Sequence, residues 1–148
     1  MRRLAVFVLA TLLALQGANA ATVAYRLDPT ASTVAFETDF GPDLITGSIP
    51  LEKADLGLDF GNLANCTVAV ALDVTGATAS FPFAAQALKG PKVLDARDHP
   101  RMTFESTSVK RAGEAADVTG NLTIRGVTKT VTLRAQIFRP KGSSASDL

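Results

Sequence analysis

Residues Gly120–Leu133 read GNLTIRGVTKTVTL. Leu122 and Ile124 alternate with Asn121, Thr123 and Arg125, and further on Val131 and Leu133 alternate with Thr130, Thr132 and Arg134. An alternation with period two, rich in β-branched residues, marks strands with one dry and one wet face. Gly126, inside the stretch Arg125–Lys129, supplies the break that lets the chain reverse. The pattern predicts a two-stranded ribbon with a single apolar face.

The same alternation recurs outward from this ribbon. Strands are predicted over 23–28, 33–39, 44–50, 66–74, 101–109, 117–124 and 130–138. Turn chemistry at Asp28-Pro29, Gly41-Pro42-Asp43 and Gly113 separates them. One parity in each strand is apolar: Val34/Phe36, Ile45/Ile49, Val68/Val70/Leu72, Met102/Phe104, Leu122/Ile124 and Val131/Leu133/Ile137. The other parity carries Thr33, Glu37, Thr103, Glu105, Thr123, Thr132 and Arg134. Many short strands with one face in and one face out predict an all-β antiparallel barrel or sandwich. Residues 51–64 stay open, since Leu56, Leu58 and Phe60 alternate and could add a strand. Phe81–Lys89 breaks the period: Phe81, Ala84, Ala85 and Leu88 fall at helical spacing, Pro82 suits a first turn, and Gly90-Pro91 ends it. A short helical insertion is expected there, its apolar face over one mouth of the barrel.

Met1-Arg2-Arg3, the apolar run Leu4–Leu15 and Ala18-Asn19-Ala20 have the order of a cleavable secretory signal peptide. The apolar run is shorter than the roughly 20 residues that span a bilayer. Residues 1–20 are therefore read as a leader and 21–148 as one exported domain. Removing Arg2 and Arg3 from 15 basic residues leaves 13, against 14 acidic ones. Such a balance gives no steering toward nucleic acid, and the chain has no Trp and one Tyr with which to stack bases. Cys66 is the single cysteine, so no intramolecular disulfide forms. Its parity with Val68, Val70 and Leu72 predicts a small buried hydrophobe.

Catalytic constellations are missing from the pattern. His99, the one histidine, sits in the turn-like Arg97-Asp98-His99-Pro100 and is read as a surface loop residue. No nucleophile elbow accompanies it. One His and one distant Cys do not make a zinc site. The Asp55/Asp59 and Asp95/Asp98 pairs read as solvated or capping groups. No phosphate loop, dinucleotide fingerprint or haem motif is present, so no cofactor and no enzyme activity are expected.

GNLTIRGVTKTVTL resembles the G-x-L-T-I-[RK]-G-V-T-[KR] signature of YceI-like proteins. Tyr25-Arg-Leu-Asp-Pro-Thr-Ala-Ser32 with Val34 and Phe36, Ile45-Thr-Gly47-Ser-Ile49 and Pro100-Arg-Met-Thr-Phe104-Glu-Ser106 resemble further segments of that family, in order. Ala31 stands where the family often has His. The resemblance implies a lipocalin-like antiparallel barrel. It further implies a periplasmic, non-enzymatic carrier whose partner is a polyisoprenoid lipid or a quinone-type tail. Val34, Phe36, Val70, Leu72, Phe104, Leu122, Ile124 and Leu133 are the expected inward ligand positions, with Phe81, Phe83 and Leu88 as a helical lid. Ser32 and Ser106 are expected to act as structural hydrogen bonders. A second reading is a structural or stress-response interaction domain beside an inner-membrane b-type cytochrome, with no bound lipid. Pro140–Leu148 reads as a loop with no strand after it. Either residues 51–64 supply the even strand, or one or more closing strands are missing and the domain is incomplete at its C-terminus; the second is the expectation.

Overall fold

A computed structural model describes residues 22–136. The expected leader, Ile137, Phe138 and Pro140–Leu148 lie outside the described residues. Among the described residues the chain forms β1 (Val23–Arg26), β2 (Val34–Phe40), β3 (Asp43–Ile49), β4 (Leu51–Leu58), β5 (Thr67–Asp73), β6 (Thr78–Ala79), α1 (Pro82–Lys89), β7 (Arg101–Ala112), β8 (Ala115–Ile124) and β9 (Val127–Ala135). A 3₁₀ turn at Leu63–Asn65 leads into β5. Every strand pairing is antiparallel.

The strands make a six-stranded sheet, β1-β4-β5-β7-β8-β9, and a three-stranded sheet, β2-β3-β6. Pro50 joins them. It follows β3 and precedes β4, and having no N–H it interrupts the ladder where the chain turns from the small sheet into the large one. The return arm bends at the same level, passing from β5 through Val74–Ala77 into β6. β3–β4 and β5–β6 are thus one long hairpin folded at a corner, pinned by Asp73 N–H donating to the Pro50 carbonyl at 2.9 Å. Among the described residues the two ladders do not close into a ring. The resulting open barrel is the antiparallel architecture the alternation predicts.

Residues 51–58 do hold a strand, which settles the stretch the alternation left open. Its pairing with β5 shifts between Leu51 and Lys53, so Leu51 and Ala54 both face the core, 7% and 1% exposed. A second slip lies between Ser106 and Ser108 of β7. There the Val68 N–H donates to the Ser106 hydroxyl at 2.8 Å, giving Ser106 the hydrogen-bonding role expected of it.

The β8–β9 ribbon forms as predicted, with a tighter turn. Ile124 pairs directly with Val127, leaving a two-residue loop in which Arg125 and Gly126 have φ of 50° and 71°. Two left-handed residues match the twist of the flanking strands. The break is therefore narrower than the expected Arg125–Lys129, and β9 begins three residues earlier than its predicted start. Lys129 consequently sits on the apolar parity, opposite Leu122.

Two apolar clusters fill the interior. One, at the corner, is built on Ile49, Leu51, Ala54, Leu72 and Ala77, with Val34, Phe36, Val70, Leu88, Leu94 and Met102 packed against it. The other joins Cys66, Phe104, Val109 and Val118 with Leu58, Leu63, Val68 and Leu122 around them. In each, an aromatic ring lies over a glycine of the neighbouring strand: Phe36 over Gly47 and Phe104 over Gly120, where any side chain would collide with the ring.

Candidate functional site

α1 follows the two-residue strand β6, which is hydrogen-bonded to β3 through the Gly47/Ala79 and Ser48/Thr78 pairs. Ser80 N–H donates to the Thr46 carbonyl at 2.7 Å and fixes the approach to the helix. Pro82 occupies its first turn and Phe81 precedes it without a side-chain cap. The helix is thereby held across the small sheet without sealing onto it. Between them is an open groove of about 640 Å³. Phe36 and Ile45 from β2 and β3, Phe81 just before the helix, Phe83 and Leu88 from it, and Val93 beyond it supply its apolar walls. Thr38 and Asp43 are its polar lining. Phe81 is 47% exposed and Phe83 84%, an unusual amount of bare aromatic surface for one helix start.

The expected ligand positions divide by environment. Phe36, Phe81, Phe83 and Leu88 line the groove together. Val34, Val70 and Leu72 pack beneath it in the corner cluster, and Phe104 is closed into the other cluster at 6% exposure. Leu122 and Ile124 border a separate hollow of about 280 Å³ with Val127, Lys129 and Val131. Leu133 is 47% exposed on β9. Ala84 lines the groove too, on the helix face expected over the mouth, whereas Ile45, Ala79, Ala87 and Val93 line it without having been named as ligand positions. Ile45 carried a usable signal, the inward parity of its strand. Val93 carried none, because it lies in the non-periodic segment after α1.

At the opposite end a smaller cavity of about 340 Å³ lies among Leu58, Leu63, Cys66, Val109 and Val118, with Arg111 and Glu114 also lining it. The loop beside it is built on Asp59, which is 3% exposed. Its carboxylate accepts from the backbone N–H of Gly61 and Asn62, both at 2.9 Å, and from Asn65 Nδ2 at 2.8 Å. These donors, the Asn65 amide first, hold the carboxyl below its ordinary range. Cys66 is buried as expected, its Sγ accepting from the Asp59 N–H at 3.2 Å. Asp59 is therefore a capping carboxylate that organises its loop, the second of the two roles read from the sequence.

His99 also departs from expectation. It is half-buried, with its ring against the Gly126 turn. Among the described residues no three His, Cys, Asp or Glu side chains come together in a group that could hold a metal ion. In the groove, the Asp43 carboxylate and the Thr38 hydroxyl are the polar side chains on otherwise apolar walls. Such a surface can enclose an apolar chain.

Comparison with known proteins adds to this geometry. Residues 25–146 match the family model described as YceI-like domain. A UPF0312 protein of Pseudomonas aeruginosa is 49% identical over 51 residues, 34% of this chain; the chain covers 27% of that relative's length. The fold overlays on the crystal structure of Burkholderia cenocepacia BcnA with a TM-score of 0.69 at 25% identity, over 76% of this chain and 72% of BcnA. A mutant Campylobacter jejuni YCEI protein overlays with a TM-score of 0.61 at 23% identity, over 78% and 68% of the two chains.

Proposed function

The chain belongs to the YceI-like domain family, and from that premise we propose that it is a periplasmic, non-enzymatic carrier that holds a polyisoprenoid lipid or quinone-type tail in the groove under α1. Lipocalin-like barrels of this family are binding proteins, and the groove has the size and polarity that role asks for. Its 640 Å³ falls within the roughly 300–1,000 Å³ of small-ligand sites. Burying about 200 Å² of an isoprenoid chain contributes about 5 kcal/mol before the cost of ordering it. The bare rings of Phe81 and Phe83 are the observation that carries the reading, because they gain most when an apolar chain covers them. Export through the expected leader would place the carrier where such lipids need shielding from water.

The test is direct. Full-length protein expressed in a bacterial host is extracted with organic solvent, and the extract is searched by mass spectrometry for prenyl lipid. The expected result is a prenyl lipid in stoichiometric amount, lost in the Phe81→Ser/Phe83→Ser double variant. An extract without prenyl lipid, together with no binding of a dansyl-labelled farnesyl chain, would overturn the carrier reading and favour an interaction domain instead.

A further inference from the structure

The residue at the first position of the β8–β9 turn is an odd choice for its backbone. At φ 50° Arg125 occupies the left-handed region, where Asn, Asp or Gly is the easy residue. A bulky residue kept in that region points to a use elsewhere for its side chain. Here the use is visible. Arg125 Nη2 reaches 34 positions back along the chain and donates to the Pro91 carbonyl at 2.6 Å. The second turn residue, Gly126, lies against the His99 ring, where even a Cβ would come within 3.0 Å of Cε1.

Pro91 and His99 stand near the two ends of one segment, the strap of residues 90–99 that follows α1. The strap is tied to the C-terminal end of the helix. Leu94 N–H donates to the Leu88 carbonyl, Ala96 N–H to Lys89 and Asp95 N–H to Gly90, at 3.0, 3.0 and 2.9 Å. His99 N–H closes the far end on the Asp95 carbonyl at 2.8 Å. Helix end and strap therefore move as one body, and that body carries Leu88 and Val93, both walls of the groove. The other end of α1 is lightly held, with no side-chain cap and Phe83 standing 84% exposed.

We propose that Arg125 is a positioning residue, a latch through which the β8–β9 turn holds the α1–strap body against the barrel and so sets how long the groove retains its occupant. The latch rests on the reading of the groove as an apolar-chain site. Its action is mechanical. Charge-assisted donation to Pro91 anchors the start of the strap and contact of His99 with Gly126 anchors its end, while Leu88 and Leu94 seat the body on the corner cluster; release of the first loosens the exposed Val93 side of the groove wall.

Arg125→Asn in the full-length protein separates latching from folding. Asn-Gly is a favoured pair for this turn, so the hairpin is kept while the reach to Pro91 is lost. The thermal midpoint is expected to hold or rise. Exchange of the Leu94, Asp95 and Ala96 amides is expected to quicken about three- to tenfold, the value of one solvent-exposed hydrogen bond, with amides of β7 and β8 unchanged. A dansyl-labelled farnesyl chain should leave for phosphatidylcholine vesicles faster by a similar factor, and Arg125→Lys should fall between the two. Unchanged strap exchange in Arg125→Asn overturns the latch, and so does faster exchange with unchanged release. If the probe binds neither protein, the groove reading falls instead, and the exchange data alone decide whether Arg125 holds the strap.

Discussion

At the Asp59–Cys66 end of the barrel a buried carboxylate is fully partnered within its loop, and at the α1 end two aromatic rings are left barer than Phe60 beside that loop, which is 39% exposed. Asp59 answers three donors within one short loop, Asn62 accepts from the Ala64 N–H to cap the 3₁₀ turn, and Phe104, Val109 and Val118 beside them are each 6% exposed. Across the molecule Phe81 and Phe83 meet water over 47% and 84% of their surface. Both ends use the same device, a Phe ring over a cross-strand glycine, yet only one is closed over. Phe104 is finished by its own chain, whereas Phe36 faces a groove that a second molecule could finish. On the proposed reading, stability and binding fall to different ends of one sheet system, and substitutions at the two ends should therefore behave oppositely.

The largest effect is expected at the closed end. Phe104→Ala empties the space over Gly120 and should destabilise the fold by about 3–5 kcal/mol in denaturant titration. Probe affinity per folded molecule should be unaffected; a variant that keeps its stability and loses the probe would break the comparison. Next comes acid. The Asn65 amide and the Asn62 N–H favour ionised Asp59 in the folded chain, so its folded pKa lies below the ordinary 3.8. A depressed carboxyl contributes stability that is present above the unfolded value and is lost as pH falls through the folded one. Glu52, held down by Arg101, and Asp73, held down by the Thr75 hydroxyl, act in the same direction. Thermal midpoints read from about pH 5 to about pH 2 should fall for the parent, and the fall should be smaller in Asp59→Asn, which starts lower by several degrees. Equal slopes would show that the Asp59 loop does not set the acid limit.

Smaller effects belong to the open end. Phe36→Ala removes a half-buried ring, with an expected loss of about 1–2 kcal/mol and a clear drop in binding of the dansyl-farnesyl probe. Phe83→Ser should change stability by less than about 0.5 kcal/mol while weakening the probe several-fold, the sharpest form of the contrast. A large stability loss from Phe83→Ser would mean that the helix is structural after all.

Alternation made most of the strands legible, since one dry face per strand is a strong periodic signal. It blurred at the places where the ladder itself is irregular. The slip between Leu51 and Lys53 brings Leu51 and Ala54 to one side, and no period of two can show that. β6 is two residues long, too short to carry any period. The turn was read too wide because Arg125 is not a residue that advertises a left-handed backbone. For the site, parity separates inside from outside but not wall from filling. Phe36 and Phe104 have the same pattern around them, and only the placement of α1 leaves one at a groove. For Asp59 the pattern left a solvated and a capping role open, because periodicity does not show which backbone and side-chain donors a loop carboxylate will meet.

Cys66 has one more consequence. It is the sole thiol of the chain, 8% exposed and clasped between the N–H and carbonyl of Asp59, to which its Sγ also donates at 3.5 Å. Cys66 borders the smaller cavity but is nearly covered, so its labelling by a thiol reagent is expected to quicken when the Asp59 loop opens, and each molecule carries a single-use clock. Labelling before and after the groove is filled times one end of the barrel while the other is at work. A clock that keeps its rate marks two independent halves; one that slows measures, in seconds, how far an occupant's grip travels through the sheet.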